Sequence, residues 1–156
     1  MIKQVDIGEA VKNILENKFS GCNVYADEVQ EEFNLPAFFV ELIPATHNVS
    51  TNFNSNDLTI TITYLPETYT AEDNANVADE IKAAFGMFFK VGTRALKIDD
   101  ISFHKTGENK EILQGDISIK YFDGLEKTET EDVMNELHIR TVKEEDEQTW
   151  ECQKSQ

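Results

Sequence analysis

Cysteine, histidine, proline and positive charge are all scarce in this chain, and each shortage removes a class of explanation. The two cysteines, Cys22 and Cys152, stand near opposite ends of the 156 residues, so neither a zinc-type nor a CxxC redox pair exists. His47, His104 and His138 are isolated from one another and from both cysteines. No metal and no other cofactor is expected. Fourteen Lys plus Arg face thirty Asp plus Glu, a formal charge of −16. That is the wrong sign for releasing counterions from a phosphate backbone or for docking on anionic lipid. Sequence-specific nucleic-acid binding and membrane binding are therefore not expected. No apolar run approaches the ~20 residues of a membrane-spanning helix. The opening Met1-Ile2-Lys3-Gln4-Val5-Asp6 lacks a signal peptide's apolar core and cleavage site, which reads as cytoplasmic.

With 7 Gly and 3 Pro the chain has no fibrous or disordered bias. A single domain of this size buries roughly 70% of its unfolded surface, enough for a core without staples. The expected fold class is α+β: one mostly antiparallel or mixed sheet flanked by two main helices, with a polar hairpin arm and an acidic C-terminal extension. The expected division is a folded unit over residues 1–142 and an acidic tail over 143–156.

Asp6 followed by Glu9 predicts the N-cap of a first helix with Ile7, Val11, Ile14 and Leu15 on one face, stopping near Ser20-Gly21. Cys22 to Ala26 predicts a short strand, Asp27 to Asn34 an acidic connection, and Pro36 an extended approach to the next strand. Phe38 to Ile43 is apolar on both faces, which predicts a central strand covered from two sides. Leu58, Ile60, Ile62 and Tyr64 alternate with threonines as a half-buried strand does. Between these strands, Pro44 to Asp57 reads as a long polar hairpin arm with its turn at Asn54-Ser55-Asn56-Asp57. Thr70 with Asp73 caps a second helix bearing Val77, Ile81, Ala84, Phe85 and Phe88 and ended by Gly92. Leu96 to His104 and Ile112 to Phe122 predict a closing strand pair, turned at Thr106-Gly107-Glu108-Asn109.

Catalytic signatures are missing as well: there is no GxxxxGKS/T, GxGxxG, GxSxG or HExxH. Asp99-Asp100 reads as a turn or bulge rather than an acid/base pair, and His104 as a surface histidine without a neighbouring nucleophile. Phe85, Phe88 and Phe89 read as core rather than a ligand cage. An enzyme is not expected. Val49 and Phe53 are apolar residues stranded in the polar arm beside Asn54 and Asn56, and Trp150 follows the run Glu144-Glu145-Asp146-Glu147. These five, Val49, Phe53, Asn54, Asn56 and Trp150, are the candidate interface residues.

The order of elements resembles the phage tail terminator family of tailed phages and tail-derived particles. The resemblance is carried by Tyr25-Ala26-Asp27-Glu28-Val29, by Phe33 through Leu42, by Ile60 through Pro66, and more weakly by Ile117 through Tyr121 and Met134-Asn135-Glu136-Leu137. It implies a structural, non-enzymatic protein of the virion or tail-like particle, assembled in the bacterial cytoplasm. Such a protein forms a ring, expected to be a homohexamer, on the head-proximal end of the tail tube. There it stops tube polymerisation and presents a surface to neck, head-completion or collar proteins, with the tube protein and possibly a sheath as further partners. DNA passes through its lumen without being held. Two other readings stay open: a head–tail connector, adaptor or tube protein of the same assembly, and a small soluble domain with an unseen catalytic site.

Overall fold

The computed structural model describes residues 1–26 and 32–124. Two helices, α1 (Gln4–Lys18) and α2 (Ala71–Phe85), accompany six strands. These are β1 (Asn23–Ala26), β2 (Ala37–Asn48), β3 (Phe53–Leu65), β4 (Phe88–Val91), β5 (Arg94–Thr106) and β6 (Ile112–Gly124). Their order across the sheet is β1-β2-β3-β6-β5-β4. β1 runs parallel to β2 and every other pairing is antiparallel, which is the expected α+β class.

Period-two patterning decides which face of the sheet is covered. In register across β2, β3 and β6 lie Val40, Ile62 and Gly115, then Leu42, Ile60 and Ile117, all on one face. That face joins Ile7, Val11 and Leu15 of α1 and Val77, Ile81 and Phe85 of α2 in one core. The opposite face carries Thr59, Thr61 and Thr63 beside Ser118, Asp116 and Gln114. Among the described residues no helix packs on it. α1 meets β1 and β2 at one margin of the sheet and β4 at the other, so the sheet curls around it.

Several expectations change in detail. The first helix starts at Gln4 with Lys3 as an N-cap that makes no side-chain bond, and Asp6 lies in the first turn. There a carboxylate favours the helix dipole without capping it. The second helix is capped as expected, with the Thr70 side chain accepting from the Asp73 N–H. It ends earlier, however, because Gly86 adopts φ 58° after Phe85, a conformation that suits glycine. Phe88-Phe89-Lys90-Val91 then alternate as β4, and Gly92, at φ 57°, belongs to the next turn. Phe85 and Phe89 are accordingly core, whereas Phe88 is 56% exposed. β2 is internal, but its second face receives only partial cover: Tyr25 and Phe33 pack on Phe39 at 5.3 and 5.1 Å, and Ile43 is half exposed. The Asp99 region is a bulge, the register shifting between Ile98 and Asp100.

Tyr64 couples the sheet to α2 by donating its hydroxyl to Asp73 at 3.1 Å. Burial first, then the Asp73 hydrogen bond and charge, push its pKa well above the ordinary 10.0. The folded state thus holds this proton more tightly than the unfolded chain does. Its contribution is complete below pH 10 and is lost as pH rises beyond that value. We expect alkaline titration above about pH 10 to destabilise the wild type more than Tyr64→Phe. At neutral pH that variant loses about 1 kcal/mol with the hydrogen bond. Chemical denaturation at pH 8 and pH 11 checks both statements.

Candidate assembly surface

The polar hairpin arm is present, with its turn placed earlier than Asn54-Ser55-Asn56-Asp57. Pro44 to Asn48 of β2 stay in register with Leu58 to Asn54 of β3, and β6 continues alongside as far as Gly124 opposite Phe53. Asn54, Ser55 and Asn56 are thus ladder residues, and the turn falls at Val49 to Asn52. Ser50 makes it: its hydroxyl accepts from the N–H groups of Asn52 and Phe53 at 3.1 and 3.2 Å, and its own N–H reaches the Phe53 carbonyl. The sequence signal for that turn was the single Ser50, weaker than the Asn cluster that competed with it.

Near its turn the arm is braced by a buried carboxylate. Asp123, 5% exposed, accepts from the Ile2 backbone N–H at 2.9 Å and from the Arg94 guanidinium, which also donates to the Phe122 carbonyl at 2.9 Å. The N-terminus, the start of β5 and the end of β6 therefore meet at one group. Tyr121 shares this neighbourhood, and burial, then Asp123, raises its pKa while Arg94 opposes the shift.

Of the candidate interface residues, Val49 is 53% exposed at the turn and Phe53 is 41% exposed. Phe53 packs edge-to-face on Phe122, ring centroids 6.3 Å apart. Phe122, itself 55% exposed, was missed by sequence reasoning because it continues an alternating strand. The two rings lie on the sheet face that no described helix covers, above an ion cluster in which Asp57 meets His47 at 3.3 Å and Lys120 at 3.5 Å. Asn54 and Asn56 point to the other face, opposite Asp123 and Tyr121, with Asn56 accepting from Thr46 at 2.9 Å. The structure thus separates Phe53 from Asn54 and Asn56. Trp150, the acidic tail and the Met134 segment lie outside the described residues.

Among the described residues no three His, Cys, Asp or Glu side chains converge as metal ligands would. Burial, then Asp73, pushes the Cys22 thiol upward, away from the thiolate that nucleophilic chemistry needs. His104 is half exposed with Asp116 at 3.6 Å, and Asp116 accepts from the Thr61 hydroxyl at 2.8 Å. No described helix is long and apolar enough to cross a membrane.

No curated protein matches the chain. One solved structure, 16% identical, superposes with a TM-score of 0.50 over 83% of this chain and 100% of its own, a likeness of fold. A family model described as phage tail terminator protein matches residues 6–132, spanning both helices and all six strands. The chain belongs to the phage tail terminator family, and so to the structural proteins of the phage tail.

Proposed function

We propose that this protein forms a ring on the head-proximal end of a tail tube, where it ends tube growth and offers the surface to which neck, head-completion or collar proteins attach. The observation that carries this reading, beyond the family, is the arm. A three-strand arm, braced near its turn at Asp123 and bearing exposed Val49, Phe53 and Phe122, continues the sheet beyond the Leu58, Ile60 and Ile117 core. Exposed aromatics on an ordered scaffold are the usual energetic anchors of protein contacts. The partners are other copies of the chain, expected to number six, and the last ring of tube subunits. The mechanism is binding without turnover: the arm and sheet margins cover the growing end of the tube, so that no further subunit pairs there. A net charge of −16 keeps DNA from adhering to the lumen.

Phe53→Ala is expected to weaken ring or particle assembly by ~1–3 kcal/mol, with a smaller loss of monomer stability because the ring is already part exposed. Sedimentation of the variant and its melting curve check the two halves. Equal losses in both would show that Phe53 serves only its own sheet. Imaging of intact particles should find one ring of this protein, at the head-proximal end. Rings repeated along the tube would instead make it a tube subunit.

A further inference from the structure

We infer that copies of this chain join head to tail through their sheets, the free edge of β2 in one copy pairing antiparallel with the free edge of β5 in the next. The inference rests on the ring proposed above and supplies the contact from which it is built. β1 covers the outer edge of β2 only from Ala37 to Val40, so on that side Glu41 to Asn48 pair with no strand among the described residues. At the other margin β4 covers β5 only from Arg94 to Lys97, and its cover ends where the Ile98 N–H donates to the Met87 carbonyl at 2.9 Å. Asp99 to Thr106 therefore form a second open edge among the described residues, of the same length as the first. Open rows of backbone donors and acceptors are what strand addition uses.

Direction and register follow from the sheet itself. Because β2, β3, β6 and β5 alternate in direction, a copy set beside β5 in the same orientation presents its β2 antiparallel to it. The two short strands then bracket the ladder: β1, beside β2, lies just beyond Thr106 of the neighbour, and the neighbour's β4 lies just beyond Asn48. Glu41 stands opposite Thr106 and His47 opposite Asp100, a register that keeps each face continuous. On the core face Pro44 meets Phe103 and Thr46 meets Ile101, while on the open face Ile43 meets His104 and Ala45 meets Ser102. Ile43, 51% exposed in the single chain, gains a neighbour. A slip of one residue would set core-face side chains against open-face ones. Pro44 withholds at most one donor from this ladder.

The charges on the two edges are complementary. Exposed His47 lies 3.3 Å from Asp57, and exposed His104 lies 3.6 Å from Asp116. In the joined sheet His47 also faces Asp100 of the neighbour, and His104 lies diagonal to the neighbour's Glu41. Glu41 and Asp100 are exposed and make no ion pair among the described residues. Each imidazole thus stands between two carboxylates, one from its own chain and one from the next. An imidazole N–H can donate to a carboxylate whether the ring is neutral or charged, and such cross-strand pairs favour the sheet. A two-fold pairing of β2 with β2 would leave both β5 edges open. The head-to-tail pairing uses both edges of every copy, and contacts of that kind close into rings.

The test uses the full chain in assembled tails, with Ala45→Cys and Ser102→Cys at directly opposite, exposed positions. Direct antiparallel pairs hold their Cα atoms about 4.5–5.5 Å apart, within disulfide reach. On oxidation the double variant should give a ladder of covalent oligomers ending at the ring, and each single variant should give no more than the wild type. His47→Glu should lower incorporation into tails roughly tenfold or more, with the melting temperature within about 2–3 °C of wild type. Adding Asp100→Lys to the same chain should restore incorporation, since every copy supplies both edges. Covalent dimers from Ala45→Cys alone would mean that β2 pairs with β2 and overturn the proposal. Tails that hold the double cysteine variant at wild-type level without cross-links overturn it too, as does wild-type incorporation of His47→Glu. If the wild-type protein is absent from tails altogether, it is the assembly role itself that fails.

Discussion

Phe38→Ala is expected to be the most damaging single substitution, costing about 3–5 kcal/mol of folding free energy. Phe38 is fully buried, and its ring lies 4.8 Å from Phe19, just past α1, and 4.9 Å from Tyr64 of β3. It therefore ties the first helix to two strands at the point where β1 joins the sheet. Truncation removes the transfer energy of the ring and leaves a cavity whose walls, strands on one side and a helix on the other, cannot close fully. Single domains have only about 5–15 kcal/mol to lose, so the melting temperature should fall on the order of 10 °C. Phe38→Leu should lose much less, because most of the volume is kept. A loss below about 1 kcal/mol for the alanine variant would mean that the packing around Phe38 is not as described.

The second large effect is expected at Asp123. Its carboxylate accepts one bond from a cation and one from a backbone N–H while almost fully buried. Charge-assisted bonds of this kind contribute about 1.5–3 kcal/mol each when made. Asp123→Ala should cost about 2–3 kcal/mol in total, because half-exposed Arg94 regains water when its partner is lost. The loss should be local as well as global. Amide exchange should quicken at Ile2 and at the end of β6 before it quickens in the Ile60 and Ile117 core. Asp123→Asn keeps an acceptor and should retain a good part of the stability. Uniform exchange in the alanine variant would show that the clamp does not hold this end of the arm.

The fold was legible where side-chain chemistry acts locally. Thr70 with Asp73 marked a capped helix, and the alternation from Leu58 to Tyr64 marked the central strand, since both patterns are satisfied within a few residues of themselves. It was least legible where one residue's backbone freedom outweighed a continuing pattern. Phe88 sits at helical spacing from Ile81 and Phe85, yet Gly86 turns the chain and hands Phe88 and Phe89 to a strand. Periodicity alone cannot detect that, because the apolar residues satisfy both periods over so short a stretch. In the arm, Asn54-Ser55-Asn56-Asp57 suggested a turn, but pairing with β6 on the far side held these residues in the ladder. Phe53 was visible as a stranded apolar residue, whereas its partner Phe122 and the clamp at Asp123 depend on contacts between segments far apart in sequence.

The length of tails made without this protein tests the central claim most directly. If it caps the tube, particles from cells lacking its gene should carry tubes that are overlong or variable in length and joined to no head or collar. Supplying the wild-type gene in trans should restore a single length. Tails of normal, uniform length with intact necks in the deletion would contradict the account, whatever surface the arm presents.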